Sequence, residues 1–435
     1  LYPDRSSPTA KLESIMAVMT VMAHEKRSAA NLDVGSAYLE ADWVGQPAFI
    51  IIEKMLTTIF VHQFPELRTF VRTDGTILMR LIKALYGTLI AGKLWYDKLT
   101  GILKAKGFEP NPLDPCVMNK MIDGHQLTLV IFVDVILATS VDESALTWLM
   151  AELRAEFDEV KGGISDDFSY LGMHVRVNSG ESKVTVSMEG YEDELMRFAE
   201  VTGTRKTPAT AHLFSVGDSP KLGRSALAHF HTVVAKLLYL SLRTRPQVCT
   251  AVAYLTTRVT CANEEDENKL NRVLMFINGT RGNKLTLSCS GPLRVCGYVD
   301  VAFGSHDDGK SVTGVVHQLG EATVLAKSCK QKMVSKDSTE GELVGLTDRV
   351  DGVLRLDEFM REQGHDMDSP IIFQDNQSTI CLVTKGGGKY RTVHLRVRQC
   401  RLKEKIERGE LLVLYLSTGS MIADILTKPL QGILF

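Results

Sequence analysis

The order of the predicted elements from residue 294 to the C-terminus constrains the fold more than any other feature of the sequence. Three runs of β-forming residues come first, at Arg294–Asp300, Val312–Leu319 and Ala322–Ser328. Helices and strands then alternate: helix Thr339–Glu362, strand Ile371–Gln374, helix Gln377–Thr384, basic helix Val393–Arg408, strand Leu411–Leu416 and terminal helix Ser420–Thr427. This order predicts a mixed sheet with helices packed over it.

Four acidic residues fall where such a sheet would bring side chains together. Asp300 and Asp375 each end a strand, Glu342 lies in the first turn of a helix, and Asp424 lies on the terminal helix. Phosphodiester hydrolysis with two metal ions needs several converging carboxylates, and Mg²⁺ prefers such hard oxygen ligands. Taken singly, each acid is better explained by capping or by the helix dipole. Only the coincidence of all four favours nuclease chemistry.

The residues before 294 form a mixed region followed by a helical one. The run Gln126–Asp134 continues into Val135–Thr139 and predicts a hairpin with Asp134 near its bend. The pair Ser140 and Glu143 predicts a capping box that opens a helix reaching Val160. Further predictions are a hairpin of Val175–Val177 with Val184–Val186, a helix over 189–202, a linker over 203–224 and helices over 227–244, 247–258 and 263–279.

Composition sets broad limits on the class of protein. A chain of 435 residues suggests two to four domains, and no apolar run is long enough for a membrane span. The eight cysteines are scattered without metal-ligand spacing, so we expect reduced thiols, an intracellular location and no zinc. The chain opens at Leu1 without Met, and we expect it to be an internal part of a larger product.

Net charge is nearly balanced, at −2, so binding to nucleic acid has to be judged from local patches. The segment from Lys385 to Lys405 is the most basic, with a single Glu404 among its cations. Charge alone favours a solvated helix face, and a phosphate-binding stripe becomes credible only beside a catalytic site.

The C-terminal motifs resemble those of the ribonuclease H domain of copia-like retrotransposon polyproteins, in order and in spacing. They are Lys310–Gly314, Ser338–Glu342, Gln374–Ser378 and Ala423–Leu430. The resemblance implies a ribonuclease H-like βββαβαβα domain with one extra helix, in which two Mg²⁺ ions, or Mn²⁺ as a substitute, are held by Asp300, Glu342, Asp375 and Asp424. Departures at Val301, Ala302 and Gly341 are expected to affect packing and not the ligands.

The N-terminal half resembles the reverse transcriptase of the same polyproteins. Asn31–Leu39 is similar to the first carboxylate motif, which implies that Asp33 is a metal ligand and that Tyr38 is the aromatic gate against a ribose 2′-OH. Asp134 would be the second metal ligand. Lys83–Gly87 and Leu94–Tyr96 resemble the segment that contacts nucleotide and template, which adds Tyr86 and Gly87 to the expected nucleotide site.

Three departures from this family pattern predict an impaired polymerase. Residues Phe132–Val135 read Phe-Val-Asp-Val where the family has Tyr-Val-Asp-Asp, so an apolar side chain replaces one acid. Thr88–Ala91 lacks the polar side chains usual after the Leu-Tyr-Gly motif. We also expect the basic fingers segment of the family to be missing before Leu1.

The resemblance covers nearly the whole chain and implies an α+β and α/β organisation. We expect a reverse-transcriptase palm with partial fingers over 1–202, a linker and helical thumb or connection over 203–285, and the ribonuclease H-like domain over 290–435. Implied partners are an RNA–DNA hybrid, an RNA template with a DNA primer, dNTP if polymerisation occurs, and the integrase and protease of the parent polyprotein, but no membrane. The location would be the cytoplasm, within a virus-like particle, or the nucleus.

Candidate contacts to nucleic-acid phosphates are Lys389, Arg391, Arg396 and Arg398. For His394, capping of a helix is favoured over contact with substrate. The alternative function is a catalytically dead transposon relic that keeps the fold and at most binds nucleic acid; Val135 favours this hypothesis and the four C-terminal acids oppose it. A purely structural role has no positive feature in its favour.

Overall fold

A computed structural model describes residues 6–386 and 393–435 of the chain. Its strands, in chain order, are β1 (Ser28–Val34), β2 (Phe49–Ile52), β3 (Ile77–Arg80), β4 (Glu109–Asn111), β5 (Asp114–Ile122), β6 (His125–Phe132), β7 (Val135–Ser140), β8 (Val160–Ile164), β9 (Asp167–Tyr170), β10 (Met173–Asn178), β11 (Lys183–Ser187), β12 (Leu285–Ser288), β13 (Val295–Ala302), β14 (Val312–Leu319), β15 (Ala322–Lys330), β16 (Ile371–Gln374) and β17 (Leu412–Tyr415).

The α-helices connect these strands or pack on the sheets. In chain order they are α1 (Leu12–Glu25), α2 (Ala37–Glu40), α3 (Lys54–Gln63), α4 (Ala91–Ala105), α5 (Glu143–Glu156), α6 (Glu189–Phe198), α7 (Arg224–Ser241), α8 (Cys249–Thr256), α9 (Glu264–Gly279), α10 (Ser338–Glu362), α11 (Gln377–Lys385) and α12 (Val393–Glu407). None of the described helices is long and apolar enough to cross a membrane.

The first sheet has six strands in the order β4-β5-β6-β7-β1-β8. At its centre is the hairpin β6–β7, in which Phe132 pairs with Val135, so the hairpin predicted from the sequence is confirmed. Strand β1 lies antiparallel to β7 and places Asp33 directly opposite Val135. Strands β2 and β3 form a separate two-stranded antiparallel sheet.

The predicted start and end of helix α5 are wrong. Asp142 is the N-cap, and its carboxylate accepts a hydrogen bond from the Ser144 amide at 2.9 Å. Asp142 immediately precedes the first helical residue, which is the position from which a short carboxylate reaches the free amides. The helix ends at Glu156 because the chain is needed next in β8, where Val160 pairs with Val34 of β1. Pairing between strands has overridden the apolar helical spacing.

The second sheet has the order β12-β11-β10-β9. The predicted hairpin is confirmed, because Val175 pairs with Val186 and Val177 with Val184. Helices α7, α8 and α9 lie between β11 and β12 in sequence, and the chain returns from them to the edge of this sheet.

The third sheet has the order β15-β14-β13-β16-β17. Strands β13, β14 and β15 form an antiparallel meander, whereas β16 lies parallel to both β13 and β17. Helix α10 packs on β13, and α11 and α12 together connect β16 to β17. This strand order and the mixed direction confirm the predicted ribonuclease H-like fold class, with its extra helix.

The last predicted helix is wrong in type. Residues Ser420–Thr427 do not form an α-helix; two short 3₁₀ turns, Thr418–Ser420 and Ile422–Leu426, carry Asp424 instead. Pro429 follows closely and has no amide to continue a helix, which favours a short, tight turn here. Residues 418–427 pass over strand β14 in close contact with it. We call this segment the C-terminal strip.

The two halves of the chain share polar contacts as well as apolar packing. The carboxylate of Glu13 on α1 lies 2.6 Å from Nδ1 of His317 on β14. Arg355 of α10 donates to the same carboxylate at 3.2 Å. Asn111 of β4 donates to the Phe359 carbonyl at 3.1 Å. Helix α10 is therefore held between the third sheet and the first.

Candidate active sites

Strand β14 contains a glycine that allows the C-terminal strip to approach the third sheet. A Cβ atom on Gly314 would lie 2.8 Å from the Ala423 oxygen, the Leu426 Cβ and the Thr427 Cγ2. Gly314 is also the residue paired with Asp300 on β13. The missing side chain at 314 thus lets the strip bring Asp424 beside Asp300. The glycine belongs to the Lys310–Gly314 motif, and this contact is a physical reason for it.

Three of the four predicted nuclease acids meet at this place. Asp300 from β13, Asp375 from the end of β16 and Asp424 from the strip each offer an oxygen, and these oxygens lie within 4.8 Å of one another. Within the described residues, no other set of three such side chains is clustered as closely. The parallel pairing of β13 with β16 explains why the two aspartates lie together. Asp375 follows the end of β16 as predicted, whereas Asp300 lies inside β13, which continues to Ala302, so its predicted place at a strand end is wrong.

Glu342, the fourth acid, lies next to this cluster and is 4% exposed. Burial, and then the nearby carboxylates of Asp300 and Asp375, raise the pKa of Glu342 to about 9. Burial also raises the pKa of Asp300, and Asp424 adds to the effect. A buried group of like charges is costly unless cations neutralise it. The four acids therefore form a site whose electrostatics call for positive charge.

Lys428 supplies part of that positive charge. Its ammonium group donates to Asp424 at 2.8 Å and to Asp300 at 3.4 Å. The hydroxyl of Thr427 donates to the other oxygen of Asp300. The sequence motifs do not indicate roles for these two residues, although Lys428 follows Asp424 by four positions, a spacing typical of ion pairs within one helical segment.

Gln374 is a second contributor that the sequence did not single out. Its side chain is fully buried and donates to Glu342 at 3.2 Å. Its carbonyl oxygen accepts from the amides of Asp375 at 2.8 Å and Asn376 at 3.0 Å. This one amide side chain therefore orients Glu342 and fixes the turn on which Asp375 is presented.

The side chains at this site fit divalent metal binding. All of the clustered ligand atoms are carboxylate oxygens, the donors that Mg²⁺ and Mn²⁺ prefer, and no cysteine or histidine belongs to the described cluster. A methyl group on Gly341 would be 3.5 Å from Val301, which is an ordinary contact, so the space at Gly341 would admit the alanine that is usual in the family.

The basic helix α12 contributes less free charge than its sequence suggests. Arg398 donates to Asp348 and Arg401 donates to Asp351, both on α10. Arg396 has an exposed side chain. The other two predicted phosphate contacts, Lys389 and Arg391, lie outside the described residues. Among the described candidates, Arg396 is therefore more available for a phosphate than Arg398.

In the N-terminal half, Asp33 and Asp134 lie at one end of the first sheet. Asp33 is exposed on β1, and the backbone carbonyl of Asp134 accepts from the amide of Val34 at 3.0 Å. Burial and the charge of Asp33 raise the pKa of Asp134. The bend itself is held by Trp95, whose indole donates to the Val133 carbonyl at 2.7 Å, while Val133 has a φ of 58°.

The predicted nucleotide site lies beside these two acids. The rings of Tyr38 and Tyr86 are 4.6 Å apart between centroids. Burial, and then the charge of Asp134, raise the pKa of Tyr38, which places this ring close to that carboxylate. Gly87 follows with a φ of 87°, a backbone conformation that side chains rarely adopt.

Val135 occupies the position next to Asp134 where an acid was expected. It is partly buried and packs against the apolar core. The described residues contain no third metal-ligating side chain clustered with Asp33 and Asp134 in the way that Asp300, Asp375 and Asp424 are clustered. The candidate polymerase site thus has two carboxylates, and the candidate nuclease site has three clustered carboxylates with Glu342 beside them.

Comparison with known proteins agrees with both halves. Residues 1–211 match the family described as reverse transcriptase (RNA-dependent DNA polymerase). The retrovirus-related Pol polyprotein from transposon TNT 1-94 of Nicotiana tabacum is 27% identical over 431 residues, covering 97% of this chain and 31% of the relative. The corresponding polyprotein from transposon RE2 of Arabidopsis thaliana is 26% identical, covering 100% of this chain and 29% of the relative. The chain spans about a third of the length of these curated relatives.

Two solved structures align with parts of the chain at low similarity. LC11-RNase H1, isolated from compost by a metagenomic approach, aligns with 31% of this chain and 92% of its own, at 15% identity and a TM-score of 0.25. The protease–reverse transcriptase of prototype foamy virus aligns with 96% of this chain and 46% of its own, at 11% identity and a TM-score of 0.24. The family match, the curated relatives and the chain's own motifs together support a copia-like retrotransposon Pol polyprotein, with a reverse-transcriptase region over residues 1–211 and a C-terminal sheet of ribonuclease H-like order.

Proposed function

We propose that this chain cleaves the RNA strand of RNA–DNA hybrids with two Mg²⁺ ions, using Asp300, Glu342, Asp375 and Asp424 of a domain spanning 290–435. The observation that supports the proposal most directly is the convergence of three carboxylates within 4.8 Å, with the buried Glu342 beside them. In such sites the metal ions activate a water and stabilise the leaving oxygen.

The chain's own residues hold and orient these groups. Gln374 fixes Glu342 and the Asp375 turn, and Thr427 fixes Asp300. Lys428 neutralises Asp300 and Asp424 while the acids are without metal. Bound cations would compete with this ammonium group for the two carboxylates, and Lys428 would then be free to contact a substrate phosphate.

The proposed substrate is recognised by its shape and by its 2′-hydroxyl groups and not by its sequence, as is general for duplexes containing RNA. Arg396 on α12 is the described candidate for a backbone phosphate, and Lys389 and Arg391 are candidates from the sequence. Because Arg398 and Arg401 already pair with acids of α10, we expect their removal to affect the packing of α12 more than hybrid affinity.

For the N-terminal half we propose impaired RNA-directed DNA synthesis. Metal ions contribute several kcal/mol by stabilising charge in phosphoryl transfer. With Val135 in place of an acid, Asp33 and Asp134 offer fewer oxygens to hold them. Primer extension on an RNA template, with dNTP supplied, should therefore be negligible, and Val135→Asp should raise it without restoring it fully. Robust extension by the unaltered chain would contradict this part of the proposal.

The second candidate function is a folded relic that binds nucleic acid without cleaving it. Val135 is the observation that favours it, because the family pattern implies an acid at this position and the sequence has a valine. The two candidates differ in a single measurable property, which is cleavage that depends on the four C-terminal acids.

The deciding experiment compares Glu342→Gln with Glu358→Gln in the full chain. Both changes lie on α10 and remove one charge, but Glu358 is exposed on the far part of the helix. With a labelled hybrid and Mg²⁺, the chain should cut the RNA strand, and Glu342→Gln should lower the rate at least about a hundredfold, the usual effect of losing a group that stabilises transition-state charge. Glu358→Gln should cut normally. No cleavage by the unaltered chain, or cleavage that persists in Glu342→Gln or without metal, would refute the nuclease assignment.

A further inference from the structure

A concave pocket lies between helix α9 and the segment that precedes α7. Its volume is about 410 Å³. We call it the α9 pocket and define it by residues from both walls: Arg205, Thr210, His212, Asn268, Asn271 and Arg272. None of these residues belongs to either of the sites described above.

One face of α9 forms a wall of this pocket. Asn268, Arg272 and Met275 follow one another at intervals of four and three residues, the spacing that places side chains on a single helix face. The opposite wall comes from residues 205–213, which run alongside the helix, as shown by the hydrogen bond from the Arg205 amide to the Met275 carbonyl. The pocket therefore has two walls from distant parts of the sequence.

Positive charge in the α9 pocket is not neutralised by the protein. In residues 6–386 and 393–435, neither Arg205 nor Arg272 forms an ion pair with a carboxylate. Arg205 donates to the Thr204 carbonyl at 3.4 Å, and Arg272 donates to the Thr207 hydroxyl at 2.8 Å. The only acid in the lining, Glu265, already pairs with Lys269 at 3.2 Å.

The two arginines also lie close to each other. Burial, and then the charge of Arg205, lower the pKa of Arg272. Two guanidinium groups that line one pocket repel each other in the free protein, and an anion that bound between them would relieve that repulsion.

We propose that the α9 pocket binds a phosphate group. The planar guanidinium group offers paired donors that match phosphate oxygens, and Asn268, Asn271 and Thr210 add neutral donors around them. The same chemistry is offered by two sources: a phosphodiester of a bound nucleic-acid strand, or a free phosphate compound. The proposal concerns the phosphate, and the experiment separates the sources.

The surroundings of the pocket connect it to the C-terminal strip. Gln431 donates to the Ala209 carbonyl at 2.9 Å, and the Thr207 hydroxyl donates to Gln431 at 3.4 Å. Gln431 lies three residues after Lys428. A phosphate in the pocket would thus be bound by a wall that is hydrogen-bonded to the segment carrying Asp424.

The test uses the full chain with Arg205→Gln/Arg272→Gln, and with Arg281→Gln as the control. Gln keeps a donor for Thr207, and Arg281 is an exposed cation that follows the same helix but pairs with Asp193. The first arm measures binding of inorganic pyrophosphate by calorimetry. The second arm measures binding of a labelled RNA–DNA hybrid by anisotropy in EDTA over a range of salt concentrations, where no cleavage occurs.

We expect the double variant to weaken pyrophosphate binding at least about tenfold while Arg281→Gln leaves it unchanged, because a charge-assisted phosphate contact is among the stronger hydrogen bonds. If the source is a nucleic-acid strand, the double variant also weakens hybrid binding and reduces the slope of log affinity against log salt by about one per lost phosphate contact. Unchanged hybrid binding with lost pyrophosphate binding assigns the pocket to a free phosphate compound.

Unchanged behaviour in both arms overturns the proposal. If the double variant does not fold, as judged by circular dichroism, the exposed Arg205→Gln alone replaces it and is held to the same two outcomes. The pyrophosphate arm needs no hybrid and no catalysis, so its result is independent of whether the nuclease assignment holds.

Discussion

Gly314→Ala should separate the C-terminal strip from the acids that it completes. The added methyl group would lie 2.8 Å from atoms of Ala423, Leu426 and Thr427, and ordinary contact begins at 3.4 Å, so the strip has to retreat by about 0.6 Å. The Ala423 contact is a backbone oxygen, so rotation of a side chain cannot relieve it. Overpacking of this kind costs about 1–3 kcal/mol.

The retreat would act on catalysis through Asp424 and Thr427. Both belong to the displaced strip, and Thr427 holds Asp300 by a hydrogen bond. Misplacement of catalytic groups by about 1 Å can lower a rate about a hundredfold, so a loss of roughly ten- to a hundredfold in Mg²⁺-dependent hybrid cleavage is expected. Chemical unfolding followed by circular dichroism should show the accompanying loss of stability.

The control is Gly419→Ala, in the same C-terminal segment. A Cβ atom on Gly419 would meet nothing within 4 Å, so this variant should keep both activity and stability. Equal behaviour of the two variants would mean that the strip is not wedged against β14 as described. Loss of stability without loss of cleavage would mean that Asp424 does not need its position beside Asp300.

Two further predictions concern charged groups. Lys428→Met should lower the midpoint of thermal unfolding in EDTA, because Asp300 and Asp424 lose their cation, and Mg²⁺ should then raise the midpoint more than it does in the parent chain. Lys327→Met, at an exposed position, is the control. An unchanged Mg²⁺ effect would contradict the role given to Lys428. Burial, and then the charge of Lys330, lower the pKa of His306 to about 4. The fold therefore favours the neutral imidazole, and this contribution to stability is complete above the usual histidine pKa of 6.5 and is lost as the pH falls towards 4. His306→Phe keeps the ring contacts with Phe214 and Tyr254 and should reduce this loss of stability in acid by up to about 3 kcal/mol. Equal pH profiles of the unfolding free energy for the parent chain and the variant would contradict this prediction.

The fold of the C-terminal part was predictable because its elements are strongly patterned. The meander of β13, β14 and β15 and the long helix α10 follow from apolar runs separated by polar turns. The last element was not predictable, because Ser420–Thr427 carries enough apolar residues for a helix but takes its shape from contact with Gly314. Tertiary contact decided its type where local preference was weak.

The candidate acids were predictable and their partners were not. Asp300, Glu342, Asp375 and Asp424 stand out because strand ends and helix starts have fixed places in a sheet. Gln374 lies inside a recognised motif, but only the structure connects its amide with Glu342. In the same way, the acids Asp348 and Asp351 that neutralise Arg398 and Arg401 lie about fifty positions earlier in the chain, beyond any local pattern.

The two candidate metal sites differ in how far their side chains favour stability of the fold over binding of metal ions. At the nuclease site, burial raises the pKa of Glu342 to about 9, so the metal-free fold bears a cost that Lys428 only partly offsets. At the candidate polymerase site, a valine on β7 stands beside Asp134 where the family pattern implies an acid. A β-branched residue suits a strand, and its apolar side chain packs on the core without adding a like charge. The replacement therefore favours the fold of the first sheet while it removes oxygen ligands, so an intact fold there says little about polymerase activity. At the candidate nuclease site, acidic groups that repel one another lie together, which a stable fold alone does not require. Bound cations would offset the free-energy cost of this repulsion.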